Sequence, residues 1–184
     1  FYTDGSVHVN HGGTEMGQGL HIKVAQVVAA AFQIDIDRVK ITATPTGKVP
    51  NTSATAASSS ADLNGMAAQA AARTIKQRLT AVAAEKFGCA AAAIKFHAGR
   101  VAGGGHSMTF AELARAAHLA RVSLSSTGYY ATPKIAYDRA RHRGRPFYYF
   151  AYGAAASEVV IDTLTGEYRV TRVDLLHDVG RSLN

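Results

Sequence analysis

An α+β fold, with helices packed on a mixed or antiparallel sheet, is what this sequence predicts, and three observations carry the prediction. Two long segments repeat apolar residues at helical spacing, each fed by a loop of small residues. The last third alternates apolar and polar positions around a glycine-bearing turn, the pattern of a β-hairpin. A hydrophobic share of 47% over 184 residues is enough for the core of one domain or two small ones.

In chain order, a strand at Val7 to Asn10 leads into Gly12-Gly13-Thr14-Glu15-Met16-Gly17-Gln18-Gly19. A helix follows, with Leu20, Val24, Val27, Val28 and Ala31 on its apolar face, and then a short strand from Val39 to Ala43. A second loop runs through Pro45, Gly47 and Pro50 into Asn51-Thr52-Ser53-Ala54-Thr55-Ala56-Ala57-Ser58-Ser59-Ser60, which has no bulky side chain. The long helix after it should bury Leu63, Met66, Ala70, Ile75, Leu79 and Val82, with Gln69, Arg73, Lys76 and Gln77 mostly opposite. These two loop–helix units occupy residues 1–88.

Residues 89–122 read as a small inserted substructure: a hairpin around Gly99 and Gly103 to Gly105, then a helix from Phe110 to Leu119. Thr109-Phe110-Ala111-Glu112 has capping-box spacing and marks that helix's start. Residues 123–184 are strand-rich. Tyr148 to Asp162 and Tyr168 to Leu176 flank Thr163-Leu164-Thr165-Gly166-Glu167, with Gly166 supplying a positive φ. On this pattern Tyr148, Tyr149, Phe150 and Tyr152 alternate faces of a strand and belong to a core or a subunit interface.

The formal net charge of +7 raises the question of nucleic acid. The only local run is Arg139, Arg141, Arg143 and Arg145, interleaved with His142 and Gly144, and a solvated loop or a surface meeting another subunit accounts for it better. We expect no nucleic-acid partner. No stretch approaches the roughly 20 apolar residues of a membrane-spanning helix, so no membrane partner is expected either. The lone Cys89 excludes an internal disulfide and cysteine-based metal clusters, and suggests a cytoplasmic setting. The abrupt start at Phe1 and stop at Asn184 look like cuts from a longer polypeptide.

Loops without side-chain bulk let a ligand approach the backbone, and the free N–H groups of a helix's first turn attract anions. Two such loops suggest one large anionic ligand, although neither matches a standard nucleotide signature: Ile22 stands where a dinucleotide fingerprint needs its third glycine. Simpler readings stand beside this one. Gly17 and Gly19 could merely permit a turn, and Ser58 to Ser60 could merely cap a helix. Glu15 could be a base, though a carboxylate bonded to backbone fits its place better. His8, His11 and His21 lack the spacing of a helical metal site. His177 and Asp178 have no nucleophilic serine elbow to serve.

The run Gly12 to His21, the run Pro50 to Ser58, and Pro146-Phe147-Tyr148-Tyr149-Phe150-Ala151-Tyr152-Gly153-Ala154-Ala155 continuing through Ser157-Glu158-Val159 to Asp178-Val179-Gly180-Arg181-Ser182-Leu183-Asn184 resemble, in that order, the molybdenum-cofactor subunit of the xanthine dehydrogenase/oxidase family of molybdenum hydroxylases. The likeness spans nearly the whole chain and is weakest from Cys89 to Ser107. It implies a molybdenum held by molybdopterin sulfurs, hydroxylation of a purine (xanthine or hypoxanthine) with water as oxygen source, and electron transfer to 2Fe-2S clusters and FAD on a partner subunit or domain, in a hetero-oligomer.

By the same resemblance, Met16, Gly17 and Gln18 meet the cofactor, and the backbone of Ala57 lies near the molybdenum without ligating it through a side chain. Ser58, Ser59 and Ser60 meet the pterin and its phosphate. Ser59 stands where some relatives carry valine. The family's glutamate base, in a Gly-Glu-Pro-Pro type motif, would lie beyond Asn184, and the residues that hold the purine before Phe1. No catalytic residue is therefore expected within the chain, and the chain alone is expected to be inactive. A sibling hydroxylase acting on aldehydes or other N-heterocycles is the alternative within the class. A stand-alone anion-binding module is the alternative outside it.

Overall fold

The computed structural model describes residues 1–49 and 52–181, which form two compact units, Phe1–Ala131 and the chain from Thr132 onward. In the first unit, β1 (Val7–Val9) and β2 (Val39–Ile41) pair in parallel, Val7 against Val39 and Val9 against Ile41. Parallel strands need a crossover, and α1 (Leu20–Phe32) supplies it. Gln33, left-handed at φ 57°, ends α1 by donating its N–H to the carbonyls of Ala29 and Ala30.

The second helix, α2 (Ser60–Phe87), runs 28 residues to a left-handed Gly88 and packs along α1. Leu20, Val24 and Val28 of α1 and Ile75, Leu79 and Val82 of α2 are buried as expected, Val27 and Ala31 are only partly so, and Phe32 joins the buried face. Complete burial of Leu20 or Leu79 contributes roughly 1.5–3 kcal/mol each. The first half of α2 departs from expectation. Met66 is exposed, and the buried position there is Gly65, where an added Cβ would sit 3.6 Å from Val27. Lys76, placed by its charge on the outer face, is half-buried: its Nζ donates to the Ala31 carbonyl at 2.6 Å and lies 4.7 Å from the Phe96 ring centroid. A long aliphatic stem lets it cover the core edge while its head finds a carbonyl.

The inserted segment is a three-stranded antiparallel meander, β3 (Lys95–His97), β4 (Arg100–Gly103) and β5 (His106–Thr109), one strand more than the expected hairpin. It feeds α3 (Phe110–Leu119) through the reciprocal Thr109–Glu112 capping box. Phe110 and Leu113 join Phe32 in the core, and Phe1 meets the Phe32 ring edge-on at 4.9 Å. The chain then crosses α2. Arg78 donates to the carbonyls of Ser123 and Ser125, and Gly128 lies so close to Ala67 and Ala71 that no Cβ could be added.

The second unit consists of two antiparallel hairpins: β6 (Ala136–Asp138) with β7 (Arg143–Arg145), and β8 (Gly153–Ile161) with β9 (Tyr168–His177). Gly166, at φ 78°, makes the β8–β9 turn. The strand starts at Gly153, so Tyr148 to Tyr152 lie outside it, and these aromatics are exposed. The ladder ends with Asp178 donating its N–H to Tyr152 O, after which Asp178 accepts the Gly180 N–H in a turn, so that residues 148–151 precede β8 rather than belong to it. The α+β class stands: three helices accompany parallel and antiparallel strand pairs, distributed among the described residues over four small sheets rather than one. Among these residues no helix is long and apolar enough to cross a membrane.

Candidate functional site

The two small-residue loops meet in the first unit. Thr14 N–H donates to Thr55 Oγ1 at 2.8 Å, and Gly12 packs against Thr52 so tightly that a side chain at residue 12 would overlap it. Thr44 Oγ1 bridges the carbonyls of His11 (3.1 Å) and Gly13 (2.9 Å). Pro50 and Asn51, which open the second motif, lie outside the described residues, as do Ser182 to Asn184, which end the third.

Within the first loop, Gly17 (φ 97°) and Gly19 (φ 74°) hold the turn that an L side chain would strain. The Glu15 carboxylate folds back over the start of α1. One oxygen accepts the N–H groups of Gly17 (2.9 Å) and Gly19 (3.0 Å), and the other accepts that of His21 (2.9 Å). These bonds, the His21 N–H first, hold the carboxyl below its ordinary pKa. Glu15 is thus a backbone acceptor, as its loop position suggested. Gln18 closes the same turn: its Oε1 accepts from Met16 N–H at 2.6 Å and its Nε2 donates to Thr14 O at 2.9 Å. An amide retains a second N–H and a second lone pair after two such bonds.

The second loop ends differently. Ala57 and Ser58 are consecutive residues in the left-handed region, each at φ 55°. L residues are disfavoured there by about 1–2 kcal/mol each, and such strain concentrates at functional sites. Ser59 occupies the N-cap of α2 without capping it; its hydroxyl donates to Ala56 O at 3.1 Å. The simple hydroxyl cap weighed for this serine run is therefore not what Ser59 does. Asp62 lies in the first turn.

His11 and His21 meet edge to face, ring centroids 5.0 Å apart, while His8 pairs with Thr42. Among the described residues no three His, Cys, Asp or Glu side chains are grouped so as to hold a metal ion. In the second unit, Arg141 faces Asp138 at 3.9 Å with both side chains well exposed, and Arg145 donates to the carbonyls of Phe147 and Tyr148. Asp178 accepts the Gly180 N–H.

Over residues 1–184 the sequence matches the molybdopterin cofactor-binding domain family. The chain belongs to that family. Relatives of this molybdopterin-binding domain include the xanthine dehydrogenase of Oryza sativa subsp. japonica and the xanthine dehydrogenase/oxidase of Mus musculus, each 46% identical over 183 residues. The alignment takes in 100% of this chain and 12% of each relative, so the domain spans a small part of their length. Among solved structures, the CO dehydrogenase from Oligotropha carboxidovorans superposes with a TM-score of 0.78 at 25% identity, over 98% of this chain and 22% of that one. Quinoline 2-oxidoreductase from Pseudomonas putida 86 gives 0.77 at 24% identity, over 100% and 23%, a likeness of fold.

Proposed function

We propose that this domain forms part of the grip on molybdopterin in a xanthine dehydrogenase-type hydroxylase acting on a purine. The observation that carries the reading is the contrast between the two helix starts. At α1 the N–H groups of Gly17, Gly19 and His21 already hold the Glu15 carboxylate, whereas at α2 Ser59 provides no capping bond and the strained Ala57–Ser58 turn presents the backbone. An anion therefore belongs at α2. Because Asp62 already offsets charge there, hydrogen-bond donors from Ser58, Ser59 and Ser60 and the first-turn backbone supply the attraction to the cofactor's phosphate and pterin.

Gln18 contributes its second N–H or lone pair from the neighbouring loop, with Met16 and Gly17 beside it, and Ala57 offers small-residue backbone close to the molybdenum. When bound, the cofactor supplies oxygen transfer from water to an electron-poor ring carbon. This chain's residues bind and orient it. The base that takes the proton, the purine-holding residues and the 2Fe-2S and FAD centres belong to other parts of the assembly, and the 184 residues alone do not turn over purine. Identity of 46% to xanthine dehydrogenases, against 24–25% to the quinoline and CO enzymes, favours the purine over other substrates.

The test is Ser60→Asp in the full-length protein, which puts a carboxylate at the start of α2. Molybdenum by mass spectrometry and pterin by fluorescence should fall together at least tenfold, with the melting temperature of cofactor-free protein unchanged. Full cofactor content in this variant overturns the reading.

A further inference from the structure

We infer that His11 is the positioning residue of the glycine-rich loop, fixing it through a neutral buried imidazole that accepts the Gly13 N–H. The inference rests on the proposed cofactor grip only for what the loop holds. Among the described residues His11 is the one polar side chain buried as deeply as the apolar core, at 7% exposure. Its Nδ1 accepts the Gly13 N–H at 3.1 Å, which assigns the ring proton to Nε2. That Nε2 has no hydrogen-bond partner among the described residues, and neither has the Nε2 of His21, whose ring meets it edge to face.

The geometry makes the acceptor indispensable. Gly13 is walled in: a Cβ there would strike Leu20 and come 2.9 Å from Asn64, so only glycine fits at this point. The Thr44 hydroxyl holds the carbonyls on either side, and the Nδ1 bond fixes the N–H between them. From Gly13 the chain runs directly through Thr14, bonded to Thr55 of the second loop, to Gln18. A protonated or acceptor-free ring at residue 11 would leave a buried N–H facing no acceptor, and that is costly. Burial, then the charge of neighbouring His21, holds His11 down to a pKa of about 4, with Glu15 opposing the shift, so the acceptor form prevails near neutrality.

Two variants of the full-length protein separate this role from mere bulk. His11→Phe keeps a ring and removes the acceptor; His11→Asn restores an acceptor oxygen near the position of Nδ1. Amide hydrogen exchange of cofactor-free protein, followed by mass spectrometry, should rise roughly tenfold over residues 13–19 in His11→Phe and return to within about twofold of wild type in His11→Asn. The body of α1, residues 24–32, should be unaffected. Unchanged exchange in His11→Phe, equally fast exchange in His11→Asn, or an equal rise throughout α1 overturns the assignment. Cofactor content of the same proteins should fall and recover in parallel. If exchange rises while cofactor content holds, the role of His11 stands and the reading of the loop as a cofactor grip fails.

Discussion

The starts of α1 and α2 are built from similar material, a run of small residues entering a helix, yet they end in opposite states. The first satisfies itself: Glu15 takes three backbone N–H groups and Gln18 ties the turn across. The second holds two L residues at φ 55° and leaves its N-cap serine bonded backward to Ala56 rather than forward into the helix. A loop that has met its own needs is a scaffold. A loop that carries strain and withholds a cap is arranged for something that arrives from outside. Small residues alone do not distinguish the two; the three backbone bonds of Glu15 at one and the backward bond of Ser59 at the other do.

Acid should strike the scaffold side first. Folded His11 has a lower pKa than the ordinary 6.5, so between about 6.5 and 4 the unfolded chain binds more protons and stability falls as pH falls, by up to about 3 kcal/mol. Glu15, held below its ordinary 4.5, adds its loss only beneath that value. Urea denaturation of wild type and His11→Asn from pH 7 to 4 measures this, and a stability of the wild type flat across that window would remove His11 from the account.

A smaller effect of opposite sign is expected at α2. Ala57→Gly relieves a left-handed L residue and should stabilise cofactor-free protein by about 1 kcal/mol, read from the denaturation midpoint, while loosening the turn that faces the ligand. Destabilisation by this change would mean that the turn is not strained. The smallest effect belongs to Glu15→Gln. It keeps a carbonyl acceptor but loses the charge, so hydrogen exchange at Gly17, Gly19 and His21 should quicken only several-fold, with less dependence on salt than in wild type. No change at those amides would place the α1 cap elsewhere.

Local signals in the sequence proved readable where a few adjacent residues decide the outcome. The Thr109–Glu112 box and the Gly166 turn involve neighbours only, and both are where the sequence places them. The α1 face is also legible because its apolar residues are large. In α2 the alanine-rich first half gives almost no contrast between faces, so Met66 stands as well outside as in, and a glycine takes the buried place. The aromatic alternation from Tyr148 to Tyr152 predicts a strand, but a strand needs a partner, and β9 turns away at Asp178. The meeting of the two loops through Thr14 and Thr55, far apart along the chain, has no periodic signature, and nothing adjacent to His11 announces that it is buried.

The crossing at Gly128 carries a consequence for the N-terminal end of α2. Backbone there presses directly on Ala67 and Ala71, and Arg78 clasps the same passing chain from about two turns further along. A helix of 28 residues is a rod of about 42 Å, and advancing it by one residue turns it about 100°. The crossing acts as an index mark on that rod, setting the angle at which Ser58, Ser59 and Ser60 emerge. A methyl group added at residue 128 would thus be felt as a misaimed opening at the helix's N-terminal end, although every residue of the opening remained in place.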